Sequence, residues 1–307
     1  MPDTNKNRIE VLSIPDDLMN RTVTESSFKT SLNYSFKTIE EDVIFSNCIF
    51  HMDVNFSTCI FKNRVVFSNC EFKANANFSF SKFEGFCSFA DSTFHGLCLF
   101  TSTNALSLMN YSDVKFTDKA KVDFHCSHFE QFANLDDVQI KYANLHEDYR
   151  RENARILKHY CINTNDKVMA FLFHKFEMKA TLARTKKISD KVILNLNQIS
   201  SDFGTNWVKA FLFTIIVSVI LFISFYCFGV ANKSFEWGWE SWNSFFSVLL
   251  NSIKHFCLFI NPTHSISDFK GLDLNSFGYG IDLVGRILIG YGIYQLVISS
   301  RIFSRNI

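Results

Sequence analysis

Residues 43–108 read VIFSNCIFHMD (43–53), VNFSTCIFKNR (54–64), VVFSNCEFKAN (65–75), ANFSFSKFEGF (76–86), CSFADSTFHGL (87–97) and CLFTSTNALSL (98–108). Phe45, Phe56, Phe67, Phe78, Phe89 and Phe100 recur every eleven residues, and Phe50, Phe61, Phe72, Phe83 and Phe94 run five residues behind them. Two positions before each large residue stands a small or β-branched one, as in Val43, Cys48, Val54, Cys59, Ala76 and Ser81. Residues two apart on an extended chain point to the same side. Each short strand therefore sends one large and one small side chain into a shared interior. Ser, Asn, Asp and Lys fill the positions between, where solvated corners belong. Self-similarity of this kind implies a stacked architecture whose units bury their apolar faces only against each other.

The register extends outward from this stretch. Backwards it runs through Ile39, Tyr34 and Phe28. Forwards it falters at 103–111, where Ala105 takes a large-residue position, and slips by two residues around 118–121. It resumes with Val122 and Phe124, Ser127 and Phe129, Ala133 and Leu135, Val138 and Ile140, and Ala143 and Leu145. The segment FANLDDVQIKYANL (132–145) has the A-x-L spacing in its plainest form. From Phe28 to Leu145 the chain resembles the pentapeptide-repeat family, and that resemblance implies a right-handed quadrilateral β-helix. Five-residue sides here alternate with six-residue sides, in place of the family's equal sides, which predicts bulged corners. About five turns at the strand spacing of roughly 4.8 Å would make a rod some 22–25 Å long.

Candidate chemistry within the repeats is sparse. The series Cys48, Cys59, Cys70, Cys87 and Cys98 can be read as a metal ladder or as small apolar filler beneath the phenylalanines, and filler is the reading adopted. His51, His95, His125 and His128 fall at outward or corner positions. There is no CxxC pair for a zinc site, and no phosphate loop, nucleophile elbow or triad, so neither an enzyme nor a cofactor is expected. With 31 Lys and Arg against 30 Asp and Glu, no basic face speaks for nucleic acid. Met1 to Asn33 lacks an apolar core of signal-peptide type. Residues 1–27 are taken as a polar N-terminal segment and 28–146 as the β-helix, lying in the cytoplasm.

The period then changes. HEDYRRENARILKHYC and DKVMAFLFHKFEMKATLA read as a helical hairpin within a connector at 147–200, which would seal the open end of the β-helix. Arg150, Arg151 and the EMKA segment resemble connectors between pentapeptide repeats and membrane segments. Arg184, Lys186, Lys187 and Lys191 suit a cytoplasmic surface near anionic lipid. Residues 201–307 form an α-helical membrane domain. Its first crossing is 210–230, free of charge and long enough for a core of about 30 Å, with Trp207 and Lys209 at its start. A second crossing spans 281–302. Between them, 242–260 is apolar but interrupted by Lys254 and His255, and reads as a re-entrant helix. The basic flanks put both termini in the cytoplasm.

The order crossing, re-entrant helix, crossing resembles two-helix potassium-channel modules, as does VGRILIGYGIYQLVISSRIF (284–303). The resemblance, which extends to bacterial fusions of such modules with pentapeptide repeats, implies a homo-oligomer, with a tetramer the first guess, in the bacterial plasma membrane. A potassium filter presents backbone carbonyls from a TVGYG-like loop. The chain offers SFGYG, with Gly278, Tyr279 and Gly280 as filter candidates, but well past the re-entrant helix. Ser244, Ser247 and Asn251, and the stripe Tyr291, Gln295 and Ser299, are candidate pore-lining residues or helix–helix hydrogen-bond partners. Asp282 and Arg286 are expected to pair. Gly290 and Gly292 can hinge the helix or permit close packing. Two functions follow: a pore gated by a signal or partner at the β-helix, or a membrane-anchored scaffold that does not conduct. Membrane lipid and an unidentified protein are the expected partners.

Overall fold

The eleven-residue period becomes a parallel coil of four strand columns in the computed structural model, which describes residues 9–11, 22–131, 133–230, 242–269 and 272–304. The chain divides into two units, 1–184 and 185–307. In the first unit Val43 pairs with Val65 and Val65 with Cys87, while Phe50 pairs with Phe72 and Phe72 with Phe94. One turn therefore takes two of the eleven-residue periods. Beyond 118–121 the partner lies two residues further on, as Leu97–Lys121, Asn104–His128 and Met109–Ala133 show. Pairing begins before Phe28. Ile9–Val11 lies on Ser26–Phe28, and Thr22–Thr24 lies on Val43–Ser46. Val23 is the inward residue there, so the coil starts without the aromatic that marks it elsewhere.

The two kinds of corner solve the turn differently. Asn47, Thr58, Asn69, Phe80, Asp91, Ser102 and Asp113 all have positive φ, one every eleven residues. Each lies within a five-residue side, where a left-handed residue reverses the chain in the shortest distance. Among the described residues, the six-residue sides contain no positive-φ residue. There the side chain of Asp53 accepts the Asn75 N–H, and that of Asn75 accepts the Leu97 N–H, tying one coil to the next. Gly85 and Gly96 occupy the same corners, where a Cβ would stand 2.4 and 2.6 Å from the carbonyl oxygens of Asn63 and Ala74.

Inside, aromatic rings stack along the axis. Phe45, Phe67, Phe89 and Tyr111 follow one another at 5.2, 5.4 and 5.5 Å with nearly parallel planes. Phe28, Phe50, Phe72, Phe94 and Phe116 do the same on another side. The residue after each of these corners is buried, and after six of the seven it is Cys, Ser or Thr, with Val114 the exception. Cys59 Sγ donates to the Tyr34 carbonyl at 2.9 Å, Ser81 Oγ to that of Phe56 at 2.6 Å, Ser92 Oγ to that of Phe67 at 2.8 Å, and Thr103 Oγ1 to that of Phe78 at 3.0 Å. Apolar filling is thus only part of what Cys59 does. Each of these side chains adds a donor to a buried carbonyl of the preceding coil.

Helix α1 (Arg150–Asn163) and helix α2 (Lys167–Arg184) form the expected hairpin and close the last coil. Leu157, Tyr160, Phe173 and Phe176 join the aromatic core. The hairpin also supplies partners for the terminal strand edge, which would otherwise be left bare. Asn153 accepts the Phe124 N–H, and the Tyr160 hydroxyl accepts the Phe129 N–H at 3.2 Å. The segment expected as one connector is thereby divided. Its first two helices belong to the β-helical unit, and the third lies in the second unit.

The second unit holds α3 (Ile188–Ser201), α4 (Trp207–Ser224) extended by a π-helical turn at Phe225–Gly229, α5 (Trp242–Ile260) and α6 (Ser276–Ser304). Trp207–Gly229 and Ser276–Arg301 are long and apolar enough to cross a membrane. At 23 residues the first spans about 34 Å as a helix. The two helices run antiparallel. A Cβ on Gly278 would meet the Gly229 carbonyl oxygen at 2.6 Å, and one on Gly292 would meet Thr214 Oγ1 at 2.5 Å. Small residues let the backbones approach this closely.

Candidate functional site

The polar residues of an otherwise apolar unit are where function is sought, because each must find a partner or face water. On α6 the four-residue spacing of Tyr291, Gln295 and Ser299 brings them to one face. That face meets α3. The Tyr291 hydroxyl donates to Asn197 Oδ1 at 3.1 Å, and Gln295 Nε2 donates to the same oxygen at 2.8 Å. Ser201 Oγ donates to Gln295 Oε1 at 2.7 Å and accepts the Gly204 N–H at 2.8 Å, while Ser200 Oγ lies 3.1 Å from the Tyr291 hydroxyl. Ser299 turns back on its own helix and donates to the Gln295 carbonyl at 2.7 Å. The stripe is a hydrogen-bonded seam between α3 and α6. Of the two expected roles, helix–helix bonding is the one this geometry builds.

The filter candidates are placed differently from a filter. Gly278, Tyr279 and Gly280 lie in the first turns of α6. Their carbonyls run along the helix axis and enter its ladder, whereas a filter needs them pointed into a pore. Gly278 has another role, since it is the contact point with Gly229. Asn275, just before the helix, accepts the Gly278 N–H through its side chain at 2.9 Å and donates through Nδ2 to the Phe228 carbonyl at 2.7 Å. Gly292 likewise serves close packing. Ser244 and Ser247 lie on α5, and their side chains fall outside the described residues. Asn251 is exposed on the same helix, as is Lys254. The opposite side of α5 packs through Phe256 on Phe222 and through Phe259 on Phe225, each at 5.3 Å between ring centres.

A second polar cluster was only half visible in the sequence. Asp282 and Arg286 pair as expected, with Arg286 Nε and NH2 at 2.9 and 2.8 Å from Asp282 Oδ2. His264 completes the group. Its Nε2 lies 2.7 Å from Asp282 Oδ1, and its Nδ1 lies 2.6 Å from the Asn261 carbonyl oxygen. His264 and Asp282 are almost fully buried, beside Phe259 and Phe269. Both carboxylate oxygens are thus engaged, and the loop 261–269 is tied to α6. No short-range spacing links His264 to Asp282, so only the fold could bring them together. No group of three or more His, Cys, Asp or Glu residues suited to a metal ion occurs among the described residues.

No curated protein and no solved structure matches the chain. The family model described as pentapeptide repeats (9 copies) matches residues 45–93. Within that stretch the eleven-residue spacing and the ring stacks run without interruption, and over it the chain is similar to pentapeptide-repeat proteins.

Proposed function

We propose that this chain is a membrane-anchored repeat scaffold. It crosses a bacterial plasma membrane through α4 and α6, keeps both ends in the cytoplasm, and offers its β-helix there to a protein partner. One observation carries this reading: the antiparallel pair α4 and α6 turns apolar residues outward along its length, including Phe211, Leu212, Ile216 and Ile220 on α4 and Val284, Ile287 and Val297 on α6. Each such side chain gains about 1.5–3 kcal/mol on leaving water, and lipid is the solvent that accepts a surface of this kind. Lys209 at the start of α4 and Arg301 near the end of α6 fall at the same end of the pair, as cytoplasmic flanks do. The seam from Asn197 to Gln295 also supports a scaffold, because it satisfies internally the groups that would otherwise line a path.

A second reading, an oligomeric channel-like unit, is favoured by α5. Its exposed Asn251 and Lys254 lie on a helix placed between the two spans, and several copies would bring such residues together around an axis. Potassium-loaded liposomes containing the full chain separate the two. The scaffold predicts no flux above empty liposomes, whereas flux that an Asn251→Leu variant changes in selectivity would establish the channel.

A further inference from the structure

Helix α3 is amphipathic in the reverse sense to a helix packed on a protein core. Its inner face is polar: Asn197, Ser200 and Ser201 make the seam to α6, with Ser200 and Ser201 fully buried. Its outer face is mainly apolar, interrupted at i+7 by the half-buried Asn195. Ile188, Val192 and Ile199 share one stripe, at i, i+4 and i+11, and all three are exposed, Ile188 at 79 %. Lys187 and Lys191 border that stripe on one side, and both are exposed. Asp190, on the other side of the helix, lies 3.7 Å from Lys187. Six residues after α3 ends, Trp207 stands exposed at the first turn of α4, and Lys209 donates to the Gln198 carbonyl at 2.7 Å. Trp and Lys at a span's end mark the level of the headgroups. That contact fixes α3 at the same level.

We infer that α3 is an in-plane interfacial helix: its Ile188–Val192–Ile199 stripe sits in the acyl boundary of the cytoplasmic leaflet, and Lys187 and Lys191 bind anionic phospholipid headgroups. An apolar stripe flanked by lysines is the pattern that lies in an interface, and lipid is the one occupant that matches both the stripe and the positive border. The seam gives this binding a consequence. Tyr291 and Gln295 hold α6 to a helix whose depth the lipid sets, so the second span is coupled to the charge of the leaflet.

The inference rests on the membrane reading above, and the test keeps the two apart. In the full chain with Cys126, Cys227 and Cys257 changed to Ser, a bimane label is attached at Val192→Cys, Asp190→Cys or Ile220→Cys. Vesicles contain phosphatidylcholine and phosphatidylglycerol, with a doxyl lipid near the headgroup or deep in the acyl chain. The label at 220 must be quenched by the deep doxyl lipid; if it is not, the membrane reading itself fails. Given that, the label at 192 is expected to be quenched about threefold more strongly by the shallow doxyl lipid than by aqueous iodide, with the reverse order at 190. In phosphatidylcholine alone, or with Lys187→Gln and Lys191→Gln together, iodide quenching at 192 should rise about twofold. Iodide quenching at 192 equal to that at 190 overturns the inference. Protection from both quenchers also overturns it and assigns the stripe to a second copy of the chain. No response to lipid charge overturns the anionic headgroup as ligand.

Discussion

Replacing Tyr111 by Phe should stabilise the β-helix. Tyr111 stands in the column of Phe45, Phe67 and Phe89. Its ring stacks on Phe89 at 5.5 Å and meets Phe100 and Phe124 edge-on at 5.5 and 5.7 Å. These contacts belong to the ring and survive the change. The hydroxyl is buried and has no hydrogen-bond partner among the described residues. Burial accordingly pushes the phenol well above its usual range. An unpaired hydroxyl in an apolar site costs roughly 1–3 kcal/mol, so its removal should return about 1–2 kcal/mol. For a domain of this size, each kcal/mol moves Tm by about 2–4 °C, and a rise of about 2–8 °C follows. Tyr160→Phe removes the same atom from a place where it accepts the Phe129 N–H at 3.2 Å, and should lower Tm by a similar amount. Thermal and urea unfolding of the detergent-solubilised full chain, followed by the far-ultraviolet signal of the strands, compares the two. Opposite signs are required. A Tyr111→Phe variant with unchanged or lower Tm would show that the hydroxyl has a partner, a buried water above all, and refute the reasoning.

Three further outcomes are expected. Phe80 holds φ of 59° with its side chain 62 % exposed; a left-handed backbone costs a bulky residue about 1 kcal/mol, so Phe80→Asn should raise the urea midpoint, and a lower midpoint would mean the ring packs on something. Burial pushes the Cys87 and Cys98 thiols well up, along with Tyr111. The folded chain keeps protons that the unfolded chain releases, so stability is full below about pH 8.5 and falls as pH rises past it; equal urea midpoints at neutral and alkaline pH would contradict this. Gly292→Leu forces a side chain onto Thr214 and should cost about 1–3 kcal/mol in an unfolding titration of the second unit, whereas a merely hinging glycine would tolerate it in the folded state.

The β-helix was legible because its determinants are periodic and local. A side chain's place in the stack depends only on its position within eleven residues, so the two-residue slip at 118–121 could be read directly, and Ala105 is indeed buried in the large-residue column. The first coil was missed because Val23 and Ser26 carry no aromatic signature although the backbone still pairs. In the second unit, hydropathy located both long apolar helices but could not say which polar groups meet. The partners Asn197 and Gln295 are far apart in sequence, as are His264 and Asp282, and their pairing is set by how α3 and the 261–269 loop return to α6. SFGYG was ambiguous for a related reason. A motif of three residues does not determine its own backbone, and α6 begins early enough to absorb it.

The central claim is that this chain crosses a membrane twice, with its β-helix on the basic side. Sided labelling tests it most directly. In a chain with Cys227→Ala and Cys257→Ala, the exposed native Cys126 of the β-helix is compared with Ser267→Cys in the loop between α5 and α6. In intact bacterial cells a membrane-impermeant maleimide should label position 267 and spare Cys126, and Cys126 should react only after lysis. Labelling of both positions from the same side, or release of the chain from membranes by alkaline carbonate, would contradict the account.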